Sequence, residues 1–173
     1  MIAPPQRIAS CLAATLASCN PFRCASVEVR EVNRSALVPF SPAQMFVLVS
    51  DIERYPEFVP WVARAQVLQR SETEVVGKLE MNRAGIRETF TTRNVLIAPR
   101  RMELHLVEGP FKTLEGAWSF DPLGERGTKI GLIIRFEFAN PVTALLLSRS
   151  FENNCGELVD AFVGRARMIY STL

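Results

Sequence analysis

The side chains able to do covalent or acid–base chemistry are few and scattered. His105 is the only histidine in 173 residues, and a serine or cysteine nucleophile needs a base beside it. It shares parity with Glu103 and Val107, opposite Met102, Leu104 and Leu106, so it is expected to face away from the apolar side. Glu80, Glu115 and Glu137 are isolated carboxylates with no evident partner for proton transfer. Cys11, Cys19 and Cys24 crowd one end of the chain and Cys155 stands alone. With one histidine, these spacings fit neither a zinc site nor a disulfide framework. Gly124-Glu125-Arg126-Gly127 reads as a hairpin turn, not a phosphate-binding loop. The expectation is a protein that is not an enzyme and holds no metal. One cluster does suggest an anionic partner. Arg83, Arg87, Arg93, Arg100 and Arg101 face only Glu88 between positions 83 and 101, a local excess of +4. That excess could meet RNA phosphates or lipid headgroups, although a solvated strand face and turn is the simpler reading.

These side chains depend on the elements that carry them. The chain has the length of one domain, and 48% hydrophobic against 22% charged residues is enough for a sizeable core. No apolar run approaches the ~20 residues of a bilayer-spanning helix, which predicts a soluble or peripheral protein. Residues 1–26 hold Arg7 and Arg23 and no acid, so they carry the whole net charge of +2. The neutral remainder has no general attraction for nucleic acid, and DNA is not an expected partner.

Residues 1–26 are read apart from the domain at 27–173. They are rich in Ala, Pro, Ser and Cys and form either an unstructured leader or a misassigned start ahead of Val27, Val29 or Val32. The alternative is a targeting signal, since Leu16-Ala17-Ser18-Cys19 resembles a lipoprotein cleavage box that would lipidate Cys19 and export the protein.

Along the body, Val27–Leu37 suggests a strand. Ser41-Pro42 looks like a helix cap followed by proline at the first helical position. The short helix buries Met45, Phe46, Leu48 and Val49, and a second compact turn leads into the proline-framed run Tyr55–Trp61. Residues 63–138 alternate as strands broken by turns. Leu114, Gly116, Trp118 and Phe120 share one face, as do Ile130, Leu132, Ile134, Phe136 and Phe138. Asn140-Pro141 opens a long helix whose apolar stripe runs Leu147, Phe151, Cys155, Leu158, Phe162, Ala166 and Ile169, with Gly156 and Gly164 tolerated. The fold class is therefore α+β: a curved antiparallel sheet of about seven strands, two short helices after the first strand, and a long C-terminal helix across the concave face. Trp118 and Phe120 are expected to face that helix across a void.

Several stretches, in order, carry a resemblance. They are Arg34-Ser35-Ala36-Leu37-Val38-Pro39-Phe40-Ser41; Asp51 through Trp61 around Tyr55-Pro56-Glu57-Phe58; Phe90-Thr91-Thr92-Arg93-Asn94; Gly109-Pro110-Phe111-Lys112 with Leu114 and Gly116-Ala117-Trp118-Ser119-Phe120; and Phe136-Glu137-Phe138. Over about residues 27–172 the chain resembles the coenzyme-Q-binding START-domain family, with its polyketide cyclase/dehydrase-like relatives in the START/Bet v1 superfamily. Val62 departs from a cysteine common in relatives. The resemblance implies the helix-grip fold and two functions. The leading one is binding of ubiquinone or a similar polyprenyl lipid in an apolar cavity, as a carrier or chaperone supporting respiratory electron transfer. The alternative is the family's bacterial branch, a ribosome-association toxin of a toxin–antitoxin pair that binds the large ribosomal subunit and blocks subunit joining.

For the lipid, the expected cavity residues are Phe58, Trp61, Leu79, Met81, Phe90, Leu104, Leu106, Trp118, Phe120, Phe136, Phe151, Cys155, Leu158 and Phe162. For any single one, plain core is the simpler reading. Tyr55, Pro56, Phe58 and Trp61 are the expected gate and transient membrane contact, because amphipathic rings on an irregular segment suit an interface. The expected location is the cytoplasm, peripheral to the inner membrane.

Overall fold

The computed structural model describes residues 29–83, 86–124 and 127–171, without the side chains of Arg83 and Ile86. The leader at 1–26, with Cys19, lies outside the described residues. Seven strands form one sheet: β1 (Arg30–Val38), β2 (Val62–Arg70), β3 (Glu74–Arg83), β4 (Ile86–Ile97), β5 (Arg101–Glu108), β6 (Phe111–Pro122) and β7 (Thr128–Phe138). All neighbours pair antiparallel in the order β1-β7-β6-β5-β4-β3-β2. β2 to β7 are a meander, as short connections dictate, and β1 returns to pair with β7.

Between β1 and β2 stand α1 (Pro42–Ser50) and a 3-10 helix, Ile52–Glu57. Ser41 caps α1 in a capping box. Its hydroxyl accepts from the Gln44 N–H (3.2 Å) and the Gln44 Oε1 accepts from the Ser41 N–H (2.8 Å). Met45, Phe46, Leu48 and Val49 are buried. The C-terminal helix α2 (Pro141–Tyr170) is 30 residues long, capped by Asn140, whose side chain accepts from the Val142 N–H. At 1.5 Å per residue it is about 45 Å long, enough to cross the whole sheet.

The expected inward faces meet. Ile130, Leu132, Ile134, Phe136 and Phe138 are all buried, and so are Leu114, Trp118 and Phe120. Two expectations are corrected. Ile169 is 39% exposed. At this end of the helix Tyr170 makes the contact instead, although helical phase alone would favour Ile169. Tyr170 packs on Phe40 (5.6 Å between rings) and donates a hydrogen bond to the Gln44 carbonyl (3.2 Å). The ring of Phe120 packs on α1, meeting Phe46 at 5.8 Å. Trp118 reaches α2, edge-on to Phe162 at 5.1 Å.

Candidate ligand cavity

α2 and the sheet enclose an apolar cavity of about 60 Å³. Strand alternation places its walls: Leu79 on β3, Phe90 and Thr92 on β4, Leu104 on β5, Leu114 and Trp118 on β6 and Ile134 on β7. α2 closes it with Phe151, Cys155, Leu158 and Phe162, which recur at helical spacing, and Tyr55 and Trp61 close one side. Phe162 is the centre of the packing, with the rings of Phe58, Tyr55 and Trp118 edge-on to it at 5.0, 5.1 and 5.1 Å.

Of the fourteen expected cavity residues, the structure brings Trp61, Leu79, Phe90, Leu104, Trp118, Phe151, Cys155, Leu158 and Phe162 to the walls. The other five do not line it. Phe58 fills the outer side of Phe162 with the Arg165 guanidinium over its ring. Phe120 packs on α1, and Leu106 is half-buried at the core margin. Phe136 is locked into an aromatic cluster with Phe111, Phe138 and Phe151. Met81 lines a separate crevice of about 20 Å³ with Phe138, Leu147 and Phe151. Sequence reasoning omitted Thr92, Leu114, Gly116 and Ile134, although strand parity turns all four inward beside residues it did name, and Glu115, which parity turns the other way.

The gate expectation is corrected at two of its residues. Tyr55 and Trp61 are buried, only 7% and 3% exposed. The Tyr55 hydroxyl donates to the Val49 carbonyl at 2.6 Å. Burial, reinforced by the Asp51 charge, raises its pKa far above the usual phenol range. Pro56 is exposed. The 3-10 helix carrying Tyr55 turns its aromatic side into the core, where a proline-framed loop was expected to turn it out.

The arginine cluster is also corrected. Arg93 pairs across the sheet with Glu74 on β3 (3.1 Å), and Arg101 pairs with Glu103 two residues along β5 (2.7 Å), both acids lying outside positions 83–101. Arg87 and Arg100 are exposed near opposite ends of β4, and ten residues of strand separate positions 87 and 97 by about 33 Å. The cations therefore form no single patch. The side chain of Arg83 lies outside the described residues.

Polar chemistry at the cavity is sparse. The Trp61 Nε1–H is buried without a hydrogen-bond partner among the described residues. Burial, with the Glu152 charge adding, pushes the Cys155 thiol far above its ordinary pKa, so it stays a thiol and is a poor nucleophile. His105 lies on the outer face, 4.0 Å from Glu103. A wider groove of about 520 Å³ also lies on that outer face, floored by Ala117, Ser119 and Gly131 and edged by paired charges. Among the described residues no group of His, Cys, Asp and Glu could hold a metal ion, and no helix is long and apolar enough to cross a membrane.

This architecture has known counterparts. Residues 38–163 match the family described as polyketide cyclase / dehydrase and lipid transport. The chain belongs to that family. Within its reach, a ribosome association toxin RatA from Vibrio cholerae is 43% identical over 142 residues, 82% of this chain and 99% of its own. The mitochondrial coenzyme Q-binding protein COQ10 homolog B of Xenopus laevis is 28% identical, over 81% of this chain and 59% of its own. Among solved structures, the Zhui aromatase/cyclase of Streptomyces sp. R1128 superposes with a TM-score of 0.74 at 20% identity, covering 83% of this chain and 98% of that one. The likeness to the cyclase establishes the helix-grip fold of the START/Bet v1 type and nothing of its activity.

Proposed function

We propose that this protein is a non-catalytic binding domain that associates with the large ribosomal subunit and hinders subunit joining. The observation that carries the reading is the 43% identity to a ribosome association toxin along nearly its entire length. This reverses the order of the two functions weighed from sequence. The interior favours the reversal: about 60 Å³ is far below the ~300–1,000 Å³ of ligand pockets, so a polyprenyl quinone would have to force the helix and sheet apart. A non-catalytic role is supported by the protonated Cys155 thiol and by the position of His105 on the outer face. The test is sedimentation of the full chain through sucrose gradients with separated ribosomal subunits. Migration with the large subunit is expected, with fewer joined ribosomes as protein is added. Protein remaining at the top of the gradient at low salt would sink the proposal.

A second reading is favoured by one feature, the unpartnered Trp61 Nε1–H on a largely apolar wall. An unmet buried donor is costly, and a ligand carrying an acceptor oxygen on an apolar body would satisfy it, as a quinone carbonyl does. The relative named as a coenzyme Q-binding protein supports this reading at lower identity. Lipid extraction and mass spectrometry of the purified chain decides it. Near-stoichiometric quinone is the result expected of a carrier, and a clean apo protein removes the reading.

A further inference from the structure

Val142, Leu145 and Leu146 are 65%, 85% and 63% exposed. At 100° per residue they share one side of α2, opposite the buried Leu147 and Phe151. Single exposed aliphatics are ordinary, but three within five residues at one tip of a molecule mark a contact. Arg149 follows on the same side, three and four residues beyond the leucines, and is exposed. The acid nearest it along the helix, Glu152, is engaged by Arg30 at 2.8 Å. Arg87 is exposed on the β3–β4 hairpin, and that hairpin borders the same end of the helix through the crevice between Met81, Glu88, Phe138 and Leu147.

We infer that the first two turns of α2 are a lipid-contact tip: Val142, Leu145 and Leu146 enter the acyl margin of an anionic bilayer surface while Arg149, one turn behind, meets its phosphates. The spacing fits. One helical turn is 5.4 Å, and interfacial helices bury their apolar side roughly 5–10 Å deep with arginine reaching back to the headgroups. RNA offers little to three aliphatic side chains, so this surface is separate from the ribosomal association proposed above. A second copy of the chain fits less well, because three side chains expose far less than the roughly 800 Å² per partner of a stable dimer. Continuity with the interior also favours lipid. The crevice of about 20 Å³ opens beside the tip, and the Phe151 ring lines both this crevice and the cavity behind it.

The test is flotation of the full chain with vesicles of phosphatidylcholine alone and of phosphatidylcholine mixed with phosphatidylglycerol. The wild type is expected to float with both and to prefer the mixed vesicles. Leu145→Gln/Leu146→Gln should weaken binding about tenfold or more with thermal unfolding unchanged, since both side chains are solvent-facing. Arg149→Gln should lose the preference for phosphatidylglycerol. Leu37→Gln, which alters an equally exposed aliphatic on β1, should bind like wild type. Absence of flotation, equal loss in Leu37→Gln, or undiminished binding of the double variant would overturn the inference. So would a double variant that loses only its migration with ribosomal subunits, which assigns the tip to the ribosome. A double variant whose only change is from dimer to monomer would overturn it in favour of self-association. The ribosomal proposal stands or fails on its own gradient, independently of the vesicles.

Discussion

The Cys155 thiol is surrounded by hydrocarbon between α2 and the sheet, where its anion would be both desolvated and repelled by Glu152. Alkylation by iodoacetamide at neutral pH, read peptide by peptide, should therefore leave Cys155 unmodified in the native protein and modify it fully in denaturant. Rapid native modification would show that α2 opens readily. Phe162, with no exposed surface and three aromatic neighbours, is the side chain on which the interface most depends. Phe162→Ala should cost about 3–5 kcal/mol in urea unfolding, and a loss under about 1 kcal/mol would mean the helix is not seated as described. Burial is also what the sequence conveyed least well at this scale. Parity and helical spacing carry eight residues to the cavity wall, and Trp61 is the ninth. The gate role expected of Tyr55 and Trp61 fails because an irregular segment has no periodicity to say which way a ring turns. The pairing of Arg93 with Glu74 depends on a strand neighbour, and that of Arg101 with Glu103 on an acid two residues past the end of the cluster.

Alternation with a period of two and apolar recurrence at three to four residues made the seven strands and α2 legible in the sequence, because sidedness alone specifies them. The end of α2 was less legible. Ile169 and Tyr170 both continue an apolar series, and only the angle of arrival against α1 separates them. Tyr170→Ala should destabilise by about 1–2 kcal/mol, since it loses the Phe40 contact and the hydrogen bond to Gln44. Ile169→Ala should stay within about 0.5 kcal/mol. The reverse order in urea midpoints would place the helix a residue out of phase. At the other end of the same packing, Ser41→Ala removes one half of the capping box and should cost about 1 kcal/mol. No measurable change there would show that α1 is held by its buried residues alone.

At the scale of the whole molecule, charge balance constrains the ribosomal partner. Residues 27–173 are neutral, and the strongest cluster of arginines by sequence is divided between ion pairs and opposite ends of a strand. Such a surface can neutralise few phosphates at once. Each neutralised phosphate contributes about 0.7–0.9 to the slope of log affinity against log salt. With two or three contacts, affinity for the large subunit should fall roughly ten- to fortyfold between 50 and 200 mM salt, against the ~10³–10⁵ of a protein making six to ten. Sedimentation at graded salt measures this slope directly. A steep slope would mean more phosphate contacts than this, and would point to the arginines of the β3–β4 hairpin and of residues 1–26. A shallow slope with retained binding would mean that shape and uncharged polar contact, not charge, hold this domain to the ribosome.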